Sequence, residues 1–346
     1  MHVLTAGDTN APRGAALLLH GFPELSFSWR HLMVPLAEAG FYVIAPDQRG
    51  YGLTTGWDSG DVQSFCAANL VADALHLLAR MDVRGVSLAV GHDFGSMVAA
   101  RSALLHPEVF RAVVLMSAPL GPVPPPGALA PFFGSLAAGL RTLDPAREHY
   151  QCYFSSASAE RDMLACDQGL SEFLRGYIHG KSGDWAGNHP QPLAGLTPAD
   201  FAALPAYYVM PADVGMAEVV RPFYADYLER GSCSWLSDTE LDVYAETFAA
   251  SGFQGGLNWY RCVTEGIGEE DLGDVVGAPI TVPAAFVAGE RDWGIHQTPG
   301  AFDAMQTTGC ADFRMLGLVE GAGHWVQQER PGAVVEALLD FAAILG

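Results

Sequence analysis

Short apolar runs alternate with helical segments along the first third of the chain. The runs contain few or no polar residues, which is typical of strands buried on both faces of a parallel sheet. The segments between them have the spacing and composition of helices. The pattern therefore predicts a doubly wound, mostly parallel α/β sheet covered by helices on both faces. The predicted strands are Ala15–His20, Tyr42–Ala45, Val86–Val90 and Ala112–Met116, and the predicted helices are His31–Ala39, Phe65–Arg80 and Ser96–Leu105.

A proline-rich segment, residues 118–127, ends this alternation. Such a stretch continues neither a helix nor a central strand. Beyond it the chain is helix-like and rich in aromatic residues, with no series of strands. Strand character returns at Pro283–Ala288 and Phe313–Leu318, before a closing helix at Ala333–Leu345. We therefore expect a helical cap inserted into the α/β core. The predicted division is a core of residues 1–140 and 265–346 and a cap of residues 141–264.

The segment Gly91–Ser96 stands between a predicted strand and a predicted helix, with Asp93 at its centre. Glycines two residues before and two residues after Asp93 permit the sharp strand-to-helix turn of a nucleophile elbow. A carboxylate in this position can attack a saturated carbon and form an alkyl ester. A helix-capping role for Asp93 is the structural alternative.

Three further loops follow predicted strands and carry reactive groups. They are His20–Glu24, Gly289–Asp292 and Gly321–Trp325. Active sites of doubly wound sheets gather at the carboxyl ends of the strands. The order nucleophile, acid, histidine is that of the α/β-hydrolase triad. Two positions have competing candidates, Glu290 or Asp292 for the acid and His296 or His324 for the base. His92 adjoins the nucleophile, and the elbow geometry turns it away from the cleft, so we interpret it as packing.

Composition narrows the function classes. The formal net charge is −21, so there are few cations to neutralise nucleic-acid phosphates. The six cysteines are scattered, which argues against structural zinc and a disulfide framework. We expect neither a metal nor a cofactor. No signal peptide is evident at the N-terminus and no apolar run reaches the length of a membrane span, so we expect a cytoplasmic protein that does not bind membranes.

Six sequence segments together resemble the epoxide hydrolase branch of the α/β-hydrolase superfamily, and the soluble epoxide hydrolases in particular. The resemblance covers nearly the whole chain, and its most specific part is the pair of tyrosine-bearing segments in the cap. The segments are His20–Glu24 with Ser28–Arg30, Asp47–Gly52, Gly91–Ser96, Tyr150–Phe154, Leu257–Arg261 and Gly323–Trp325.

The resemblance implies a role for each candidate residue. It selects Asp292 and His324 as the partners of Asp93, and it makes Tyr150 and Tyr260 the donors that assist opening of an epoxide. Ordinary cap packing is the structural alternative for the two tyrosines. The resemblance also implies a cis peptide bond between Phe22 and Pro23. The backbone N–H groups of Phe22 and Phe94 are the expected oxyanion donors, and Pro23, Gln151, Phe154 and Trp325 are the expected pocket residues.

The expected reaction is hydrolysis of a small apolar epoxide by water, carried out by a monomer or homodimer. Haloalkane dehalogenases share the aspartate nucleophile but follow it with tryptophan, whereas Phe94 has no side-chain donor. Fluoroacetate dehalogenases place arginine there. Many soluble epoxide hydrolases have tryptophan at this position, so Phe94 departs from their pattern and alters pocket shape. A non-catalytic binding protein of the same fold is the remaining alternative, and it would usually have lost part of the constellation.

Overall fold

The computed structural model describes residues 1–231 and 233–345, so residue 346, at the end of the predicted core, lies outside it. Its strands are β1 (Val3–Ala6), β2 (Ala15–Leu19), β3 (Tyr42–Pro46), β4 (Val86–His92), β5 (Val113–Met116), β6 (Arg147–His149), β7 (Val209–Pro211), β8 (Ala284–Gly289) and β9 (Phe313–Val319). Its α-helices are α1 (Arg30–Glu38), α2 (Ala67–Arg80), α3 (Phe94–Leu105), α4 (Leu129–Arg141), α5 (Tyr150–Phe154), α6 (Ala159–Leu164), α7 (Leu170–Lys181), α8 (Pro198–Phe201), α9 (Met216–Arg230), α10 (Asp238–Ser251), α11 (Gln254–Glu265), α12 (Ala301–Ala304), α13 (Val326–Glu329) and α14 (Pro331–Ala343). Short 3₁₀ helices lie at Ser26–Trp29, Val62–Phe65, Glu269–Val275 and Trp293–Ile295, and one π-helical turn lies at Met305–Gly309.

Seven strands form the central sheet, in the order β1-β3-β2-β4-β5-β8-β9. All neighbours pair in parallel except β1, which runs antiparallel to β3. The prediction of a doubly wound, mostly parallel sheet is confirmed. Strand β1 was not predicted, because its four residues are mostly half-buried at the sheet edge and lack a continuous apolar pattern.

Two hydrophobic clusters cover the two faces of the sheet. Leu18 and Val43 pack with residues of α1 and α14 on one face, while Leu17 and Ile44 pack with residues of α2 and α3 on the other. Adjacent strand residues belong to different clusters because successive side chains point to opposite faces. The cluster that contains Leu17 and Ile44 continues into the helical segment between β5 and β8. This segment is therefore packed onto the sheet at the end where β4 delivers Asp93.

The inserted segment also contains a two-stranded antiparallel ribbon, which corrects the expectation of a region without strands. Strands β6 and β7 pair in register from Arg147 with Pro211 to His149 with Val209. The next residue, Tyr150, donates its backbone N–H to the carbonyl oxygen of Tyr208 at 2.8 Å. Because each strand has only three residues, the sequence shows no periodicity that would predict the ribbon. The ribbon fixes where Tyr150 enters the site.

The division of the chain into core and cap stays a prediction. Helix α4 lies before the predicted boundary at residue 141, yet it packs against β6, α8 and α11 of the inserted segment. That packing favours a cap that begins with α4. Within the described residues, no helix combines the length and the apolar character that a membrane span requires.

Candidate active site

A sharp turn between β4 and α3 presents Asp93. The residue has φ 53° and ψ −122°, a conformation that is unusual for a residue with a side chain and is typical of a nucleophile elbow. The turn depends on its two glycines. A Cβ atom on Gly91 would lie 2.0 Å from the carbonyl oxygen of Gly95, and one on Gly95 would lie 2.0 Å from that of Leu19. The backbone therefore passes too tightly for any other residue at these two positions.

The loop after β2 contacts the Asp93 carboxylate directly. The backbone N–H of Phe22 donates to Oδ1 of Asp93 at 3.1 Å. The Phe22–Pro23 peptide bond is cis, which confirms the prediction. Phe94, the other expected donor, is the first residue of α3.

Asp93, Asp292 and His324 lie together although they are far apart in the sequence. The imidazole Nδ1 of His324 lies 3.1 Å and 3.2 Å from the two carboxylate oxygens of Asp292. Its Nε2 lies 3.3 Å from Oδ2 of Asp93. This nitrogen is buried and faces the Asp93 carboxylate. When the imidazole is neutral, Nε2 is placed to accept a proton from a water molecule beside Asp93.

The rival candidates occupy other positions. Glu290 is exposed, and its backbone N–H bonds to Val319 at the end of β9. His296 is half-buried, with its ring 6.2 Å from that of Phe302. Asp292, in contrast, is 1 % exposed, and its Oδ1 accepts the backbone N–H of Gly294 at 2.6 Å. The tertiary contacts thus favour Asp292 and His324.

Opposing effects act on the ionisation of the triad. Burial and the Lys181 ammonium would lower the pKa of His324, but the carboxylates of Asp292 and Asp93 outweigh them and raise its pKa to about 9. Burial would raise the pKa of Asp93, yet the neighbouring His324, Lys181 and His92 lower it below its usual range. The resting site therefore holds an ionised nucleophile beside a protonated imidazole.

His92 has a larger role than the packing expected from the sequence. Its Nε2 donates to the backbone carbonyl oxygen of His324 at 2.7 Å, and its Nδ1 lies 2.6 Å from Oε2 of Glu24. Glu24 also accepts hydrogen bonds from the side-chain amides of Gln327 and Gln328. Burial would raise the pKa of Glu24, but the adjacent His92 outweighs it and lowers that pKa. This buried network holds the backbone that carries His324.

Tyr150 approaches the site from the ribbon of the inserted segment. Its hydroxyl donates to Oε1 of Gln297 at 2.9 Å and accepts from the side-chain amide of Gln151 at 3.2 Å. Burial, reinforced by the charge of Asp93, raises the pKa of Tyr150 well above 10. The hydroxyl therefore stays protonated at all physiological pH values and retains a proton to donate.

Tyr260 approaches from α11. The backbone of this helix lies very close to the loop after β3, since a Cβ atom on Gly50 would lie 2.5 Å from the carbonyl carbon of Gly255. The Tyr260 ring then lies 4.5 Å from that of Phe94 and 5.9 Å from that of Tyr150, measured between centroids. Burial and the Asp93 charge raise its pKa well above 10 as well. The two tyrosines thus adjoin each other and the residue that follows the nucleophile.

A cavity of about 350 Å³ opens onto Asp93. Its wall is mainly apolar and combines the proline-rich segment with side chains of α3, α4 and α11. Of the expected pocket residues, Gln151 lines this cavity, while Pro23, Phe154 and Trp325 are absent from its wall. Phe154 packs on the Phe22 and Tyr260 rings instead. Trp325 donates its indole N–H to the carbonyl oxygen of Ile178 and packs against His324, 4.7 Å between centroids.

Lys181 is a charged residue of the site that the sequence interpretation missed. It is the chain's only lysine and is buried. Its ammonium lies 3.4 Å from the Tyr177 hydroxyl and 4.7 Å from the centre of the Tyr208 ring, and its backbone carbonyl accepts the N–H of His324 at 2.9 Å. Burial lowers its pKa, while Asp93, Asp292 and Glu24 oppose that effect. The only sequence signal was its uniqueness, which composition alone does not connect to His324.

Comparison with known proteins places this arrangement in context. A family model described as alpha/beta hydrolase fold matches residues 16–148. Epoxide hydrolase A of Mycobacterium tuberculosis is 34% identical over 99% of this chain and 93% of its own length. Epoxide hydrolase 3 of Siraitia grosvenorii is 30% identical over 99% of this chain and 94% of its own length.

Solved structures give the same picture. An epoxide hydrolase from an endophytic Streptomyces aligns with a TM-score of 0.79 and 31% identity, covering 99% of this chain and 92% of that one. Potato (Solanum tuberosum) epoxide hydrolase I aligns with a TM-score of 0.72 and 30% identity, covering 99% and 95%.

Proposed function

The chain belongs to the epoxide hydrolase family of the α/β-hydrolase fold, and we infer that it converts epoxides to vicinal diols through an alkyl ester on Asp93. The observation that carries this inference is the position of Asp93 between the Phe22 N–H and the buried Nε2 of His324. A carboxylate in that position has a donor to orient it and a base beside it.

In the first half-reaction, a carboxylate oxygen of Asp93 attacks one ring carbon of the epoxide. The carbon–oxygen bond of the ring breaks and leaves an alkoxide, which is far more basic than the carboxylate. The hydroxyls of Tyr150 and Tyr260 supply hydrogen bonds and a proton to that oxygen. Their raised pKa values keep them protonated, so both act as donors at neutral pH.

In the second half-reaction, water attacks the carbonyl carbon of the Asp93 ester. His324 removes the proton from this water, and Asp292 orients the imidazole through Nδ1. The oxyanion that forms is stabilised by the Phe22 N–H, with the Phe94 N–H as the second expected donor. Collapse of the intermediate breaks the ester bond, and the departing oxygen of the diol takes the proton held by His324. The Asp93 carboxylic acid then returns its proton to the imidazole, which restores the resting carboxylate.

Esterification itself prepares His324 for this step. The imidazole is protonated while the Asp93 carboxylate lies 3.3 Å away. Ester formation removes that negative charge, whereas burial and the Lys181 ammonium remain. The pKa of His324 therefore falls once the ester has formed. The imidazole gives its proton to the tyrosinate left by ring opening and becomes an available base.

The substrate that this cavity favours has an apolar body, since hydrocarbon side chains form most of its wall. A halide-releasing reaction has less support. Phe94 offers no side-chain donor, and the neighbouring Trp259 donates its indole N–H to the carbonyl oxygen of Arg49 at 3.0 Å. For assembly and location we propose a cytoplasmic monomer or homodimer, and light scattering of the purified protein tests the assembly.

Replacing His324 with Gln is expected to stop the reaction at the ester. Asp93 remains able to open styrene oxide, but no base activates water, so the protein should gain the mass of one substrate. Mass spectrometry of the intact protein and of its Asp93 peptide measures the adduct. The matched control is His296→Gln, which should turn over without accumulating ester. An unmodified His324→Gln protein after incubation with substrate would refute Asp93 as the nucleophile.

The two half-reactions are expected to respond differently to pH. Ester formation needs an ionised Asp93 and protonated tyrosines, so its rate should be flat from about pH 5 to 9. Ester hydrolysis needs neutral His324, so its rate should rise with pH. The rate should level off below about pH 9, because the pKa of His324 is about 9 before the ester forms and falls afterwards. Rapid-mixing single-turnover measurements with styrene oxide separate the two rates. A hydrolysis rate that declined as the pH rose would be inconsistent with His324 as the base.

A further inference from the structure

One cationic side chain in the cavity wall has no partner within the described part of the chain. Arg101 lies on α3, about two helical turns after Asp93 and on the same face as Met97, and all three residues line the cavity. Arg101 is only 8 % exposed. Among residues 1–231 and 233–345 it forms neither a hydrogen bond nor an ion pair from its guanidinium. Arg101 therefore contributes to the cavity wall a cation whose donors the described protein does not use.

Other buried cations of the chain are paired. Arg175 donates to the carbonyl oxygen of Leu236 at 2.7 Å and to Asp238 at 2.8 Å. Lys181 contacts the Tyr177 hydroxyl and lies over several aromatic rings. A buried charge without a partner is costly, because the interior replaces only part of its hydration. Arg101 is thus buried at a position where no described residue binds its guanidinium.

Glu269, the acidic residue of the cavity wall besides Asp93, does not neutralise Arg101. The carboxylate of Glu269 accepts the backbone N–H groups of Gly127 and Leu129. Burial lowers the pKa of Arg101 to about 10, and no carboxylate of the described residues opposes that effect. At neutral pH the guanidinium is still charged. An anion that enters the cavity would therefore meet an unneutralised cation.

We propose that Arg101 binds a carboxylate carried by the substrate, at the end of an apolar chain whose epoxide lies at Asp93. The proposal rests on the proposed function and adds one anionic group to the apolar substrate expected there. Asp93 directly precedes α3, and Arg101 lies about 11 Å along this helix from its first residue, Phe94. A guanidinium presents parallel N–H donors that match both oxygens of a carboxylate. The substrate class is therefore an alkyl epoxide with a terminal carboxylate.

The test compares 7,8-epoxyoctanoate with 7,8-epoxyoctanamide, which has nearly the same shape and no charge. We expect the wild type to prefer the acid by at least about tenfold in kcat/KM, the effect of a charged hydrogen-bonded pair. In Arg101→Gln this ratio should fall to about one or below. Arg101→Lys should keep part of it, because it retains the charge and loses the paired donors. Arg80→Gln, which removes an exposed cation, should keep the wild-type ratio.

Each other outcome has a definite meaning. If the wild type hydrolyses acid and amide equally, the Arg101 proposal is wrong and the epoxide hydrolase function stands. If the wild type hydrolyses neither compound nor styrene oxide, the proposed function fails, and calorimetric binding of octanoate and octanamide then decides the Arg101 site alone. Octanoate should bind at least about tenfold more tightly to the wild type and lose that advantage in Arg101→Gln. Equal binding would overturn the proposal.

Thermal unfolding tests whether Arg101 has a structural role. Because the guanidinium has no partner in the described protein, Arg101→Gln should not lower the Tm, and removal of an unpaired buried charge favours a small increase. A decrease of more than about 5 °C would show that the fold itself uses this charge and would contradict the proposal.

Discussion

Asp93→Asn is expected to lower the kcat for epoxide hydrolysis by on the order of 10⁴-fold or more, the loss seen when a catalytic carboxylate or nucleophile is removed. The amide cannot displace the ring oxygen, because it lacks the negative charge that attacks carbon. The fold should persist, since the amide oxygen still accepts the Phe22 N–H. Initial rates with styrene oxide measure the loss, and the Tm of the variant verifies the fold. Slow deamidation would restore activity with a mass change in the Asp93 peptide.

Isotope labelling distinguishes the covalent route from direct attack by water. In heavy-oxygen water and with enzyme in excess, the first diol should be unlabelled, because its new oxygen comes from the Asp93 carboxylate. The label should appear in Asp93 after hydrolysis of the ester. Label in the diol of the first turnover would mean that water attacks the epoxide itself, and the assignment of Asp93 as nucleophile would fail.

Replacing both Tyr150 and Tyr260 with Phe is expected to reduce the rate of ester formation by about 10⁴-fold or more. In the proposed mechanism each hydroxyl is a donor toward the developing alkoxide, and loss of one such donor costs about 10²–10³ in rate. The rings remain, so the packing of Tyr150 on Phe154 and of Tyr260 on Phe94 is preserved. The loss should therefore appear in the single-turnover rate of ester formation and leave the Tm nearly unchanged.

Tyr153→Phe is the matched control for this pair. Tyr153 belongs to the same short helix as Tyr150, but its hydroxyl contacts Asp162 at 3.5 Å. This variant should open epoxides at nearly the wild-type rate. The double variant also separates epoxide opening from dehalogenation, because a halide leaves without a proton. Epoxide opening at the wild-type rate in the double variant, or a wild-type preference for haloalkanes, would refute the function.

The local sequence determined the framework of the site. The apolar runs Ala15–His20 and Pro283–Ala288 predicted the strands Ala15–Leu19 and Ala284–Gly289, because strands buried on both faces have few polar positions. Gly91 and Gly95 indicated the elbow, since only glycine fits where the backbone passes so closely. Motif order then indicated Asp93 with an acid and a histidine. Resemblance to a family selected Asp292 and His324 for these roles and indicated Tyr150 and Tyr260.

The remaining features depend on contacts between distant parts of the chain, and local patterns do not encode those contacts. The ribbon of β6 and β7 joins strands too short to show periodicity, and α4 packs on cap elements that follow it in the sequence. The sequence around Lys181 does not show that aromatic rings surround its ammonium, and the sequence around Arg101 does not show that its guanidinium lacks a partner in the described protein. The network of His92 and Glu24, the position of Lys181 and the unpaired charge of Arg101 were therefore decided by the tertiary structure. Burial sets the energy of a charge, and burial is known only once the chain has folded.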